Sequence, residues 1–442
     1  MSHELLEQAW GAVRGAQRRG AQGARAAAHR VRESTLEWRD GALDRLQEST
    51  RMGLEVALFV DGRYSTHATS DLRPEALEGF LDECVAMTRV LAEDAHRALP
   101  DPARYQGRFQ GDLGLMDEAG VAGSTPAERR RLVQALEAAV RAGPGADQLA
   151  SVTTACSDTA GERALVCSNG MEGSWRGSSF YLWAECAVKD AGGRKPEGWW
   201  YSARRQRGAL QAPEEIGREA LRRALAQVGA KPEPSGEHPC VVEAAVAGRL
   251  FADLLSPLSG WAIQQQRSFL ADKLDQAVAA ACLTLADDPL LPAGLASQAY
   301  DGEGMSAVRR PIFEQGVLRT HFLDTYSARK LGREPTTGGA SNLVFQGGER
   351  DLAGLLQAMG TGLLVTGFSG GNSNAATGDF SVGVKGMWVE GGRPVRPVAE
   401  MNLSGNHLAL WKRLAELGND PNPSSSLRIP SLRFDPVQFS GT

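Results

Sequence analysis

Two Asp-Gly dipeptides, Asp40-Gly41 and Asp61-Gly62, constrain most strongly what this chain can fold into. An Asp-Gly pair supplies the two left-handed backbone positions that a tight hairpin turn requires. The first lies in ARAAAHRVRES followed by TLEWRDGALDRLQES, and the second lies in GLEVALFVDGRYSTHAT. The N-terminal stretch is thereby committed to antiparallel strands. Helices are expected around them. One covers residues 1 to about 22, and another covers Arg73 to about Ala92, where apolar residues recur at helical spacing. In TPAERRRLVQALEAAVRA a third follows Ser124 or Thr125 as cap, with Pro126 in its first turn, and EEIGREALRRALAQVG forms a fourth. Strands with Gly-rich turns are predicted from Ala146 to about Tyr201, so this half reads as α+β.

The run AKPEPSGEHP, residues 230–239, concentrates three prolines and a glycine at a composition break and reads as a linker. It divides residues 1–229, with a further break near 100–123, from residues 240–442. A chain of 442 residues exceeds one ordinary core, which agrees with more than one domain. The second region opens with VVEAAVAGRLFADLLSPLSG, read as helical until Pro257. It then becomes strand-rich with glycine punctuation, which predicts a β-rich domain, barrel-like or sandwich-like.

The net charge of −5 and the scattered basic residues leave no field for phosphate binding, so nucleic acid is not an expected partner. No Cys-x-x-Cys pair occurs among Cys84, Cys156, Cys167, Cys186, Cys240 and Cys282, as suits reduced thiols in a cytoplasmic protein. Glu4 and Glu7 stand where a secretory leader would be basic and then apolar. No apolar run reaches the length of about 18 residues that a membrane span needs, and no membrane association is expected.

The chemistry-bearing residues are sparse. His3, His29, His67, His96, His238, His321 and His407 are isolated from one another, so no helix offers two imidazoles and a glutamate to one zinc ion. Gly367-Phe368-Ser369-Gly370-Gly371 satisfies the nucleophile-elbow pattern, with Asp379 and His407 as the available partners. However, GGNSNAATG disfavours the helix that must follow an elbow. No phosphate loop is present. Asp287-Asp288 and Asp301 with Glu303 are carboxylate pairs in turn-rich surroundings, where solvated acids are the ordinary reading.

A set of segments in the second region, RSFLADKLDQ, DDPLLPAGLASQAYDGEGM, GVLRTHFLDTYSARKLG, TTGGASNLVFQGG, GFSGGNSNAATGDFSVGVKGMWVEGG and AEMNLSGN, resembles the TldD/PmbA family. TLEWRDGALDRLQESTRMGLEVALFVDGR, TSDLRPEAL and LVCSNGMEG extend the likeness through the first region. The resemblance implies an α+β N-terminal region and a β-rich C-terminal domain. It also implies a cytoplasmic metallopeptidase assembled from TldD-type and TldE-type subunits. In the TldD type a helix carries His-Glu-x-x-x-His and a later cysteine completes the zinc site. Here Phe251 and Ser256 stand at the histidine positions and Ala252 at the glutamate, and the tail PNPSSSLRIPSLRF has no cysteine. The resemblance therefore implies a TldE-type subunit without a metal of its own, with zinc in a TldD-type partner.

On that reading the chain helps enclose a channel for unfolded or modified peptides. Arg267, Ser268, Phe269, Asp301, Glu303, Gly370, Gly371, Asn372, Asn374 and Asp379 are the candidate channel or interface residues, with turn and packing roles as the alternative for each. A homodimer is the assembly expected if the partner is absent. Two other functions stay open: a free-standing hydrolase using a hidden metal site or Ser369, and a protein-binding regulator, since some family members were named as modulators of DNA gyrase.

Overall fold

The structure is a computed structural model and describes residues 2–442. Its first half is one six-stranded antiparallel sheet. Helix α1 (Ser2–Arg18) leads into β1 (Gly23–Arg39), β2 (Ala42–Val60) and β3 (Arg63–Thr69), then α2 (Pro74–Arg89). A short α3 (Glu118–Gly123) and α4 (Pro126–Ala142) precede β4 (Leu149–Cys167), β5 (Glu172–Val188), β6 (Glu197–Arg204) and α5 (Pro213–Leu225). Both Asp-Gly pairs make the expected turns, with φ of 44° and 82° at Asp40 and Gly41 and of 50° and 74° at Asp61 and Gly62. The strand order is β3-β2-β1-β4-β5-β6, so β1 pairs with β4 and the sheet runs unbroken across residues 100–123.

One face of this sheet carries two helix pairs. Ala24, Ala26 and Ala28 of β1 and Leu54, Val56 and Leu58 of β2 pack under α1 and α2. Farther along the same strands, Leu36, Val152, Leu182 and Ala184 pack under α4 and α5. Small residues at one end and larger ones at the other set how closely each helix pair approaches. A buried ion cluster pins α4 to the strands. The Arg129 guanidinium, 1% exposed, donates to both carboxylate oxygens of Asp158 at 2.7 and 3.1 Å and to Glu48 at 2.7 Å. The paired fork geometry holds this charge out of water with a carboxylate oxygen on each of its three nitrogens.

The second half starts with β7 (Gly236–Val242), so strand structure begins inside the stretch read as a linker. Val241 and Val242, read as part of a helix, are also strand. These residues are fully buried and flanked on both sides by other strands, so they show no polar alternation to reveal them. Next come α6 (Ala244–Leu255), α7 (Gly260–Gln264), β8 (Leu285–Asp287), β9 (Arg310–Glu314), β10 (Val317–Leu318), α8 (Thr325–Lys330), β11 (Leu343–Phe345) and α9 (Leu352–Met359). The chain finishes with β12 (Gly362–Ser373), β13 (Asp379–Glu390), β14 (Arg393–Asn406), α10 (His407–Lys412), β15 (Leu414–Leu417), β16 (Leu427–Arg428) and β17 (Leu432–Ser440).

Strands β7, β12, β13, β14 and β17 close into a five-stranded barrel, because β17 pairs with both β7 and β14. The fold is therefore α+β with a C-terminal barrel, and the sandwich alternative does not apply. Helix α6 covers the barrel core. Its residues Ala247, Leu250, Phe251 and Leu254 recur at i, i+3, i+4 and i+7 and are all buried. That periodicity turns Ala252 and Ser256 outward. Among the described residues no helix is long and apolar enough to cross a membrane.

Candidate functional site

The β12–β13 turn end of the barrel is where the sequence-derived candidates meet. β12 carries two irregularities, between Val365 and Gly367 and between Ser369 and Asn372. The second rests on Gly370 (φ 54°) and Gly371 (φ 95°), and a Cβ on Gly371 would lie 2.7 Å from the Ser381 carbonyl oxygen. Only glycine fits there. The bulge bends the strand end outward and leaves residues 369–372 exposed.

The turn beyond it is locked by its own polar groups. The Asn374 side chain accepts from the Ala376 amide at 2.9 Å, and the Asn374 carbonyl accepts from Gly378 at 2.7 Å. Asp379 accepts from Asn406 at 3.0 Å and from Thr377 at 2.8 Å, and these two bonds hold its carboxyl below the usual range. A second loop docks alongside: Phe269 donates its amide to Ala375 at 2.9 Å, and the Ser268 hydroxyl donates to Pro257 at 2.6 Å.

Between these loops and the end of α6 lies a cavity of about 720 Å3. Arg267, Asn372, Asn374 and Asp379 line it together with Ser256 and Trp261. Ser268 and Phe269 instead serve the architecture. Ser268 ties its loop to the end of α6, and Phe269, 8% exposed, packs into the barrel core. Gly370 and Gly371 shape the bulge. Asp301 and Glu303 lie elsewhere, on a cavity of about 260 Å3 shared with Arg25, Tyr64 and Arg97 of the first half. There Asp301 accepts from the amides of Glu303 and Met305, and Glu303 accepts from the Thr325 amide and hydroxyl. Burial pushes both carboxyls up.

One residue at the site, Trp261, escapes a reading by motif, and the elbow candidates His407, Ser369 and Asp379 fall apart in the structure. Trp261 is 59% exposed, with the Arg267 guanidinium 6.0 Å from its ring, and sequence periodicity does not separate an exposed tryptophan from a core one. His407 is fully buried, stacked on Phe380 at 4.5 Å, with Nε2 at 3.1 Å from the Ser373 hydroxyl and 3.7 Å from Asp253. Both partners reach the same nitrogen, so no serine–imidazole–carboxylate relay exists. Burial lowers the His407 pKa. Ser369 sits inside β12 opposite Gly383 and not on an elbow, and Asp379 bonds Asn406 and not a histidine. The Ser369 hydrolase reading therefore loses its geometry.

The fold and this site are those of a metallopeptidase-family scaffold, as comparison with known proteins makes explicit. Residues 235–441 match the PmbA/TldA metallopeptidase C-terminal domain, 121–228 the central domain and 24–88 domain 1. The chain belongs to the PmbA/TldD metallopeptidase family. It is 28% identical to metalloprotease PmbA of Escherichia coli O157:H7, over 95% of this chain and 92% of that one. A crystal structure from Bacteroides thetaiotaomicron, described as a candidate modulator of DNA gyrase, is 38% identical and superposes with a TM-score of 0.94, covering 99% of this chain and 98% of that one. TldE from Thermococcus kodakarensis shares the fold, with a TM-score of 0.85 at 20% identity over 97% and 99% of the two chains.

The residues present do not fit the metal that the family name implies. Phe251 faces inward, edge-on to Phe345 and Trp411 at 5.1 and 5.5 Å, and Ala252 has no donor atom. Among the described residues no three His, Cys, Asp or Glu side chains converge as a metal-binding group.

Proposed function

We propose that this chain is the TldE-type, catalytically silent subunit of a two-component zinc metallopeptidase acting on unfolded or modified peptides in the cytoplasm. The observation that carries the reading is the orientation of α6. The position of the first histidine is filled by a core phenylalanine, while Ala252 is exposed and Ser256 lines the cavity that Trp261 and Arg267 border. The site has kept its opening, but Phe251 and Ala252, at the positions of the first histidine and the glutamate, carry no lone-pair donor for a Lewis acid and no base. An exposed tryptophan next to an arginine is the usual make-up of an interface hot spot.

The bulged end of β12, with exposed backbone, also suits an extended peptide added by main-chain hydrogen bonds. In the complex a TldD-type paralogue supplies zinc and the general base, and this chain supplies one wall of the channel. The test is co-expression with the TldD-type paralogue of the same genome, followed by zinc analysis and assay on an unfolded peptide. Expected is a stable complex carrying zinc in the paralogue, with cleavage by the complex only, and weaker assembly for Trp261→Ala and Arg267→Glu. Chelator-sensitive cleavage by this chain alone would overturn the reading.

A further inference from the structure

A second large cavity lies away from the barrel end, where α5 and β6 of the sheet meet α6, α9, β12 and β13 of the barrel domain. It measures about 930 Å3, and every wall belongs to this chain. Two contacts bridge its sides. Arg223, whose guanidinium lies 4.3 Å over the Trp200 ring, pairs with Glu243, and the Lys385 ammonium donates to the Glu197 carbonyl at 3.3 Å.

The chemistry inside is uneven in an informative way. Trp199, 43% exposed, Phe368, Val246, Leu356 and Met387 give the cavity an aromatic and aliphatic lining. Lys385 is half-buried, and among the described residues no carboxylate pairs with it. Its stem crosses Gly367, where a Cβ would lie 2.6 Å from the lysine Cε. A side chain at 367 would evict the lysine from this path, so the glycine in the β12 bulge and the lysine in β13 are a matched pair. Glu243 spends one oxygen on Arg223, and its other oxygen, Oε2, is buried with no hydrogen-bond partner among the described residues. A buried acceptor left unmatched has given up its water without a replacement, which favours any donor that can reach it. Burial also lowers the Lys385 pKa, as it does for an ammonium with incomplete compensation. A cation that no carboxylate bonds, with only the more distant charges of Glu197 and Glu185 offsetting it, an unmatched acceptor and an apolar wall in a junction cavity are the ordinary make-up of a small-molecule site.

We propose that this cavity binds a small apolar zwitterion, a free aromatic or branched amino acid or a dipeptide of such residues. Its carboxylate meets Lys385, its ammonium draws the Glu243 carboxylate round so that Oε2, closed off from solvent without ligand, gains a partner, and its side chain lies against Trp199 and Phe368. The inference is independent of the subunit assignment, since the site needs no partner chain. It gives the molecule a ligand that bridges sheet and barrel.

The test is calorimetry on the full chain with L-phenylalanine, the dipeptide Leu-Phe, 3-phenylpropionate, which lacks the ammonium, and phenethylamine, which lacks the carboxylate. Saturable binding of phenylalanine or of Leu-Phe is expected, and which of the two binds tighter distinguishes a free amino acid from a dipeptide. Lys385→Met is expected to weaken the zwitterion and phenylpropionate at least tenfold and to leave phenethylamine unchanged. Glu243→Gln should do the reverse. Trp199→Ala, on an exposed side chain outside the domain-bridging contacts, should weaken all ligands without lowering the thermal midpoint. Absence of saturable binding by either zwitterion, affinity unchanged in Lys385→Met, or binding confined to longer polypeptides each overturns the proposal.

Discussion

The N-terminal sheet is stitched from neighbours in sequence, whereas the barrel is closed by strands drawn from opposite ends of the second half. Four of the five pairings in the sheet join consecutive strands, and only β1–β4 spans a long insertion. In the barrel, β7 pairs with β12 and β17, so its first strand is completed by its last. The interiors differ too. The sheet keeps a charged cluster around Arg129, and the barrel buries Phe251, Phe345, Trp411 and Phe434. A closed apolar barrel leaves no sheet edge to protect, so its open end tolerates bulges and polar turns. That is where the candidate channel residues gather.

The comparison can be broken most forcefully in the two interiors. Arg129→Met takes the buried cation away from the half-buried Asp158 and from Glu48, and Phe251→Ala empties an aromatic site. Each is expected to cost about 3–5 kcal/mol. Urea unfolding should show both as lower midpoints. Loss of less than about 1 kcal/mol in Arg129→Met would mean that the sheet does not depend on its ion cluster.

The next effect belongs to the barrel region alone. His321 is 1% exposed, its pKa pushed down to about 4 by burial and the neighbouring Arg333, and it bonds the Leu270 carbonyl at 3.0 Å. The folded protein keeps this ring neutral while the unfolded chain protonates it near its ordinary pKa. Its contribution is therefore full above about pH 6.5 and lost as pH falls toward 4, on the order of 3 kcal/mol. His321→Gln should flatten that part of the stability–pH profile, and an unchanged slope would remove His321 as its source.

Smaller effects test the barrel's open end. Gly371→Ala, with φ of 95° and the Ser381 carbonyl in the way, is expected to cost about 1–3 kcal/mol in the same unfolding assay. Trp261→Ala should change stability by less than about 0.5 kcal/mol because the ring is exposed, while lowering affinity for the TldD-type partner at least tenfold by titration. A large stability loss there would show the tryptophan to be a packing residue.

Much of this was legible in the sequence, but unevenly. The Asp-Gly turns and four of the five helices of the first half, α1, α2, α4 and α5, follow from local chemistry, and the inward face of α6 follows from its spacing. Arg267, Asn372, Asn374 and Asp379 fall together because a hydrogen-bonded turn and its docking loop bring them there. Asp301 and Glu303 join that group through the family resemblance alone, and the fold sets their turn against the other half, beside Arg25, Tyr64 and Arg97. β7 escaped because a strand buried on both faces has no alternation. The break near 100–123 gave no hint that β1 and β4 pair across it. The junction cavity escaped as well, since its walls come from segments about 200 residues apart, beyond any window in which periodicity can be read.

The pairing of β7 with β17 also bears on how the protein is made. At about 5–20 residues per second, β7 leaves the ribosome ~10–40 s before the strand that completes it. Through that interval Cys240, Val241 and Val242 have no barrel to enter, while the hairpins β1–β2 and β2–β3 can zip as soon as they emerge. The nascent chain therefore passes through a stage with a finished hairpin unit and an unfinished apolar half, and that stage is when it is most exposed to aggregation.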